Sequence, residues 1–83
     1  MNILITGGAS GLGETITKTL AANSANFVFF TYSNSQANAS KIEKEFSNTK
    51  AFKCDFKSQA ELNSLTENIK DLRIDVLINK RHS

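Results

Sequence analysis

Thr6-Gly7-Gly8-Ala9-Ser10-Gly11-Leu12-Gly13 is the stretch on which the fold turns. Before it lies a short apolar run, Ile3-Leu4-Ile5, and after it Leu12, Ile16 and Leu20 recur every four residues. An apolar run closed by glycine suits a strand buried on both faces, and the four-residue recurrence is helical. The octapeptide is therefore the turn between a first strand and a first helix. Parallel sheets take ligands outside the carboxyl ends of their strands, where this turn sits. Glycines there let the backbone approach a pyrophosphate without an intervening Cβ. The helix N-terminus offers free N–H groups and the positive end of its dipole to phosphates. Gly13, one turn into the helix, allows close packing of helix on strand. The plainer alternative is a glycine-rich loop that only reverses the chain. The spacing Gly-x3-Gly-x-Gly also differs from the Gly-x-Gly-x-x-Gly dinucleotide fingerprint.

Outward from the turn, strand and helix patterns alternate. Phe27-Val28-Phe29-Phe30 reads as a second buried strand, after a break at Asn23-Ser24. Ser33-Asn34-Ser35 is a turn and capping stretch. Ala39, Ile42 and Phe46 mark a second helix, closed by Ser47-Asn48-Thr49. Ala51–Cys54 is a third, weaker strand. Ser58-Gln59-Ala60-Glu61 has the form of a capping box, in which Ser and Glu satisfy helix-end N–H groups reciprocally. Leu62, Leu65, Ile69 and Leu72 form the apolar face of a third helix, and Ile74–Asn79 is a fourth strand. The order β-α-β-α-β-α-β predicts an α/β fold with a parallel sheet.

Composition narrows the function classes. The chain has 83 residues, room for one domain of marginal stability. The net charge is +2, but residues 1–79 carry eight basic and eight acidic residues, and the excess comes from Lys80 and Arg81. No basic stripe is present, so no nucleic-acid partner is expected. No apolar run approaches the length of a membrane span, and the N-terminus lacks a signal-peptide pattern. No membrane partner is expected, and the reading is cytoplasmic. Cys54 and His82, 28 positions apart, make no metal site. Cys54 reads as a small buried strand residue, not a nucleophile.

The glycine turn resembles that of the short-chain dehydrogenase/reductase family, whose pattern is Thr-Gly-x3-Gly-x-Gly. Thr6, Gly7, Gly11 and Gly13 match it position by position, and Gly8, Ala9, Ser10 and Leu12 are common fillings. The family's Asp after the third strand, which contacts adenine, is matched by Asp55 in Cys54-Asp55-Phe56. The approach to its Asn-Asn-Ala-Gly motif is matched by Asp75–Asn79, with Asn79 as the first Asn. The resemblance implies a Rossmann-like, partial doubly wound parallel sheet, in strand order 3-2-1-4. It also implies an NAD(P)-dependent oxidoreductase interconverting carbonyl and alcohol by hydride transfer, and a homo-oligomer for full-length relatives. The cofactor residues expected are Gly7, Ala9, Ser10, Gly11, Leu12, Gly13, Tyr32, Ser33, Asn34, Asp55, Phe56 and Asn79. NAD-preferring members carry a carboxylate at the end of the second strand. Thr31-Tyr32-Ser33 has none, and Ser33, Asn34 and Ser35 can donate hydrogen bonds, so NADP is preferred over NAD.

After Asn79 the pattern breaks. Lys80-Arg81-His82-Ser83 replaces the expected Asn-Ala-Gly. The family's catalytic Ser and Tyr-x3-Lys pair have no counterpart in these residues: Tyr32 is followed four positions on by Gln36. Residues 1–79 therefore read as the N-terminal half of an NAD(P)-binding domain and 80–83 as a departing tail, the mark of a shifted or truncated reading frame. No catalytic residue is assigned. The alternatives are a non-catalytic dinucleotide-binding module and a non-functional truncated product. An exposed fourth strand of Val76-Leu77-Ile78 character predicts self-association of the fragment.

Overall fold

The structure is a computed structural model, and it describes residues 1–79. The expected tail at 80–83 lies outside the described residues. The elements run β1 (Asn2–Thr6), α1 (Gly11–Ala21), β2 (Phe27–Tyr32), α2 (Gln36–Glu45), β3 (Thr49–Lys53), α3 (Gln59–Ile69) and β4 (Val76–Asn79). All pairings are parallel, and the strand order is β3-β2-β1-β4. This is the Rossmann-like α/β arrangement that the sequence predicts, in the expected order.

Register decides which side chains share a face. Ala51 is paired with Phe30, Phe30 with Ile5, and Ile5 with Ile78, so one apolar row crosses the whole sheet. Ile3 and Val28 form a second row beside it. These residues, with Ala21 of α1 and Ala39 and Ile42 of α2, make the core. Successive strand residues alternate faces. Leu4, Phe29 and Leu77 therefore lie on the opposite face. Leu4 and Phe29 are buried there, but Leu77 is 62% exposed. The first residues of β2 and β4 are less buried than their apolar character suggests: Phe27 and Val76 are each 36% exposed.

Several boundaries and faces shift from the sequence reading. α1 buries Gly13, Thr17 and Ala21, with Ile16 and Leu20 packed at the margin, and Leu12 is exposed. The close approach of α1 to the sheet at Gly13 turns this face inward and leaves Leu12 outside. Thr17 Oγ is buried there without a hydrogen-bond partner among the described residues. β3 begins at Thr49, two residues earlier than expected, because its ladder with β2 starts at Val28↔Thr49. β4 begins at Val76 rather than Ile74. Asp75 precedes it in a two-way clasp with Asn2, through backbone and carboxylate. Asn48 does more than close α2: its amide donates to Ala21 O and Asn26 O at 2.9 Å, securing the α1–β2 connection.

Candidate cofactor site

The carboxyl ends of the strands carry two adjoining cavities, of about 700 and about 170 Å³. The local folding that shapes them starts at the glycine turn. Gly11 has φ +57°, a region costly for any residue with a Cβ, and a Cβ built there meets no atom within 4 Å. The space above Gly11 is thus open, and Gly11 lines the larger cavity. Gly13 shows the opposite constraint. A Cβ there would collide with the Gly7 carbonyl, so only glycine lets α1 start this close to β1.

The first intrahelical bond of α1 runs from Glu14 N–H to Ser10 O. The N–H groups of Gly11, Leu12 and Gly13 make no hydrogen bond within the described residues. They are the orphan donors that every helix start presents, here beside an open cavity. Ser10 stands at the N-cap position without a side-chain capping bond, which leaves its hydroxyl uncommitted to the helix. Ser35 likewise makes no capping bond to α2, contrary to the capping expected around Ser33–Ser35.

The far wall comes from the β3–α3 loop. Ser58 Oγ accepts from Glu61 N–H at 3.3 Å, one half of the predicted capping box. The reciprocal half is absent. Glu61 Oε1 instead accepts from Asp55 N–H at 3.0 Å, because the chain leaving β3 has its own donor to satisfy. Asp55 Oδ1 accepts from Lys57 N–H at 2.9 Å. That bond fixes the carboxylate and leaves its other oxygen with acceptor capacity. Cys54 is 1% exposed. Burial pushes its thiol above the ordinary value, and the Glu61 and Asp55 carboxylates add to the shift. It is a protonated structural residue at neutral pH.

Of the residues expected from the sequence, Gly7, Ser10, Gly11, Leu12, Gly13, Tyr32, Ser33, Asp55 and Phe56 line the larger cavity. Ala9 and Asn34 line the smaller one, with Gly7, Ser10, Tyr32 and Ser33 shared between the two. Asn79 lines neither. Its Oδ1 accepts from the Thr6 hydroxyl at 2.7 Å, which ties the end of β4 to the end of β1. Sequence reading missed Thr31, which lines both cavities, and Cys54 and Lys57, which line the larger. Their signal was position: each adjoins a residue already singled out at a strand's carboxyl end. The described residues hold no group of three or more His, Cys, Asp or Glu able to bind a metal, and no helix long and apolar enough to cross a membrane.

Solved structures share this fold. A carbonyl reductase from chicken fatty liver, determined with NADPH bound, is 22% identical with a TM-score of 0.78 over 99% of this chain and 34% of that one. BdcA of E. coli, in complex with NADPH, is 24% identical with a TM-score of 0.77 over 94% of this chain and 30% of its own. A doubly substituted short-chain dehydrogenase/reductase of Serratia marcescens is 25% identical with a TM-score of 0.82, covering 99% of this chain and 36% of its own. The chain thus spans about a third of the length of the structures it matches. No curated protein matches it. The short chain dehydrogenase family model matches residues 1–80, through the glycine turn, the Asp55 loop and the end of β4, and the chain belongs to that family.

Proposed function

We propose that residues 1–79 are the cofactor-binding half of an NAD(P)-dependent oxidoreductase, and that the chain holds the adenine, ribose and pyrophosphate portion of the dinucleotide. The observation that carries this reading is the row of Gly11, Leu12 and Gly13 N–H groups, unpaired among the described residues and belonging to residues that line the larger cavity. Those donors suit a pyrophosphate, with the positive end of the α1 dipole behind them. The free acceptor of Asp55 suits the exocyclic amine of adenine, and Phe56 lines the same wall. When bound, the nicotinamide supplies hydride transfer between carbonyl and alcohol. The catalytic Ser and Tyr-x3-Lys of the family have no counterpart in residues 1–83, so in this reading these residues bind the dinucleotide and do not themselves carry the chemistry.

NADP is the preferred cofactor in this reading. The 170 Å³ cavity at the end of β2 is lined by Ser33, Asn34 and Ser35, with no carboxylate to repel a 2′-phosphate. The relatives solved with NADPH are consistent with that choice. In this reading the protein is cytoplasmic, and exposed Val76 and Leu77 on β4 support self-association of the 83-residue chain.

Calorimetric titration tests the reading. Saturable binding of NADP, tighter than NAD and without turnover, is expected. Gly11→Glu, which sets a Cβ and a negative charge in the phosphate space, abolishes it. No saturable binding of either dinucleotide would overturn the reading, and tighter NAD binding would overturn the NADP preference.

A further inference from the structure

The glycine turn is held to the sheet by one residue that the sequence pattern did not single out. Thr31, the second-last residue of β2, is 1% exposed and lies at the junction of the two cavities. Its hydroxyl oxygen accepts from Gly7 N–H at 2.9 Å, and its carbonyl accepts from Gly8 N–H at 3.0 Å. The paired register of β1 with β2 ends at Ile5↔Phe30, one residue before Thr31. At Gly7 the chain adopts φ +71° and leaves the strand direction, so the ladder cannot continue by backbone pairing alone. The Thr31 hydroxyl takes the place of the missing carbonyl acceptor. Two consecutive amides are thereby turned toward β2, and the amides that make no hydrogen bond among the described residues lie beyond them, those of Gly11, Leu12 and Gly13 at the start of α1. Gly13 in turn packs on Gly7 with no room for a Cβ, so the position of Gly7 sets where α1 begins.

From this geometry we infer that Thr31 is a positioning residue: its hydroxyl clamps Gly7 and so fixes the α1 amides at the pyrophosphate position. The inference rests on the dinucleotide reading above, and it adds a specific dependence on a side chain outside the glycine motif. A buried side chain that only fills space would be replaceable by valine, which has the same shape. A clamp would not be, because Gly7 N–H would lose its acceptor.

The test combines backbone amide exchange with binding of ADP and adenosine to the full 83-residue chain. In the unsubstituted chain both the Gly7 and Gly8 amides are protected. In Thr31→Val the Gly7 amide exchanges faster, while Gly8, bonded to the Thr31 carbonyl, stays protected. ADP binding weakens by about tenfold, as loss of one well-placed hydrogen bond implies, and adenosine binding is unchanged. Thr31→Ser restores both Gly7 protection and ADP affinity. Equal loss of ADP and adenosine binding, or a Thr31→Val chain with unaltered ADP affinity, would overturn the clamp. Should Thr31→Val fail to fold, unprotected Gly7 in the unsubstituted chain, or weakened ADP binding in Thr31→Ser, would overturn it. Failure of the unsubstituted chain to bind ADP at all would instead overturn the dinucleotide reading on which the clamp depends.

Discussion

At the scale of single residues, the site is built from groups whose partners are settled and groups whose partners are missing. Gly7 and Gly8 N–H are taken up by Thr31, and Asp55 N–H by Glu61. Gly11, Leu12 and Gly13 N–H are not taken up within the described residues. A sequence shows that glycines are present, but not which amides remain free, because that depends on a partner strand 24 residues away. For this reason Gly11 and Asp55 were legible in the sequence and Thr31 was not. Cys54 belongs to the settled group, and its burial has a measurable consequence. The folded chain keeps the thiol protonated to higher pH than the unfolded chain does. The unfolded state therefore loses its proton first, and stability declines as pH rises through the ordinary thiol range near about 8.5. Urea unfolding between neutral and alkaline pH should show this decline, and Cys54→Ala should flatten it. An identical slope in Cys54→Ala would count against the burial argument.

At the scale of elements, the patterns that survived were those carried by several residues at once. The apolar runs placed all four strands, and the recurrence of Ala39 and Ile42 placed the buried face of α2. The inward face of α1 was misjudged because Leu12 has the right spacing but sits at the mouth of the site, whereas small Gly13 and polar Thr17 go inward. Hydrophobicity alone cannot anticipate a helix that approaches its sheet through a glycine. The capping box of α3 shows a related limit. The Ser58–Glu61 pairing was legible, but the Glu61 carboxylate reaches past Ser58 to the Asp55 loop. A side chain of α3 thus holds the loop after β3. Glu61→Ala should lower stability by about 1 kcal/mol, the usual net value of one hydrogen bond, and should also weaken dinucleotide binding. Glu61→Gln, which keeps an acceptor oxygen, should do less. Thermal melting with and without NADP separates the two effects, and equal behaviour of both variants would argue against the Asp55 contact.

At the scale of the whole molecule, the sheet is unequally covered. One face carries α1 and α2 over the row Ala51–Phe30–Ile5–Ile78, while Leu77 on the other face is largely exposed. The parallel α/β arrangement followed from the alternating patterns of the chain, and the strand order β3-β2-β1-β4 from the family resemblance. The degree of exposure did not, because it depends on which elements happen to cover each strand. Leu77→Lys places a charge on this uncovered apolar position and should reduce self-association of the 83-residue chain, as read by sedimentation velocity. Equal association of both chains would show that this face is not the contact.

The central claim is that one cleft, at the carboxyl ends of β1, β2 and β3, receives the dinucleotide. Titration of the isotope-labelled chain with NADP, followed by amide NMR, tests it most directly. The account predicts saturable shifts at Gly11, Leu12, Gly13, Ser33, Asn34, Asp55 and Phe56, with the amides of Glu43–Glu45 and Asp71–Arg73 unmoved. Saturable shifts centred outside the cleft, or none at all, would contradict it.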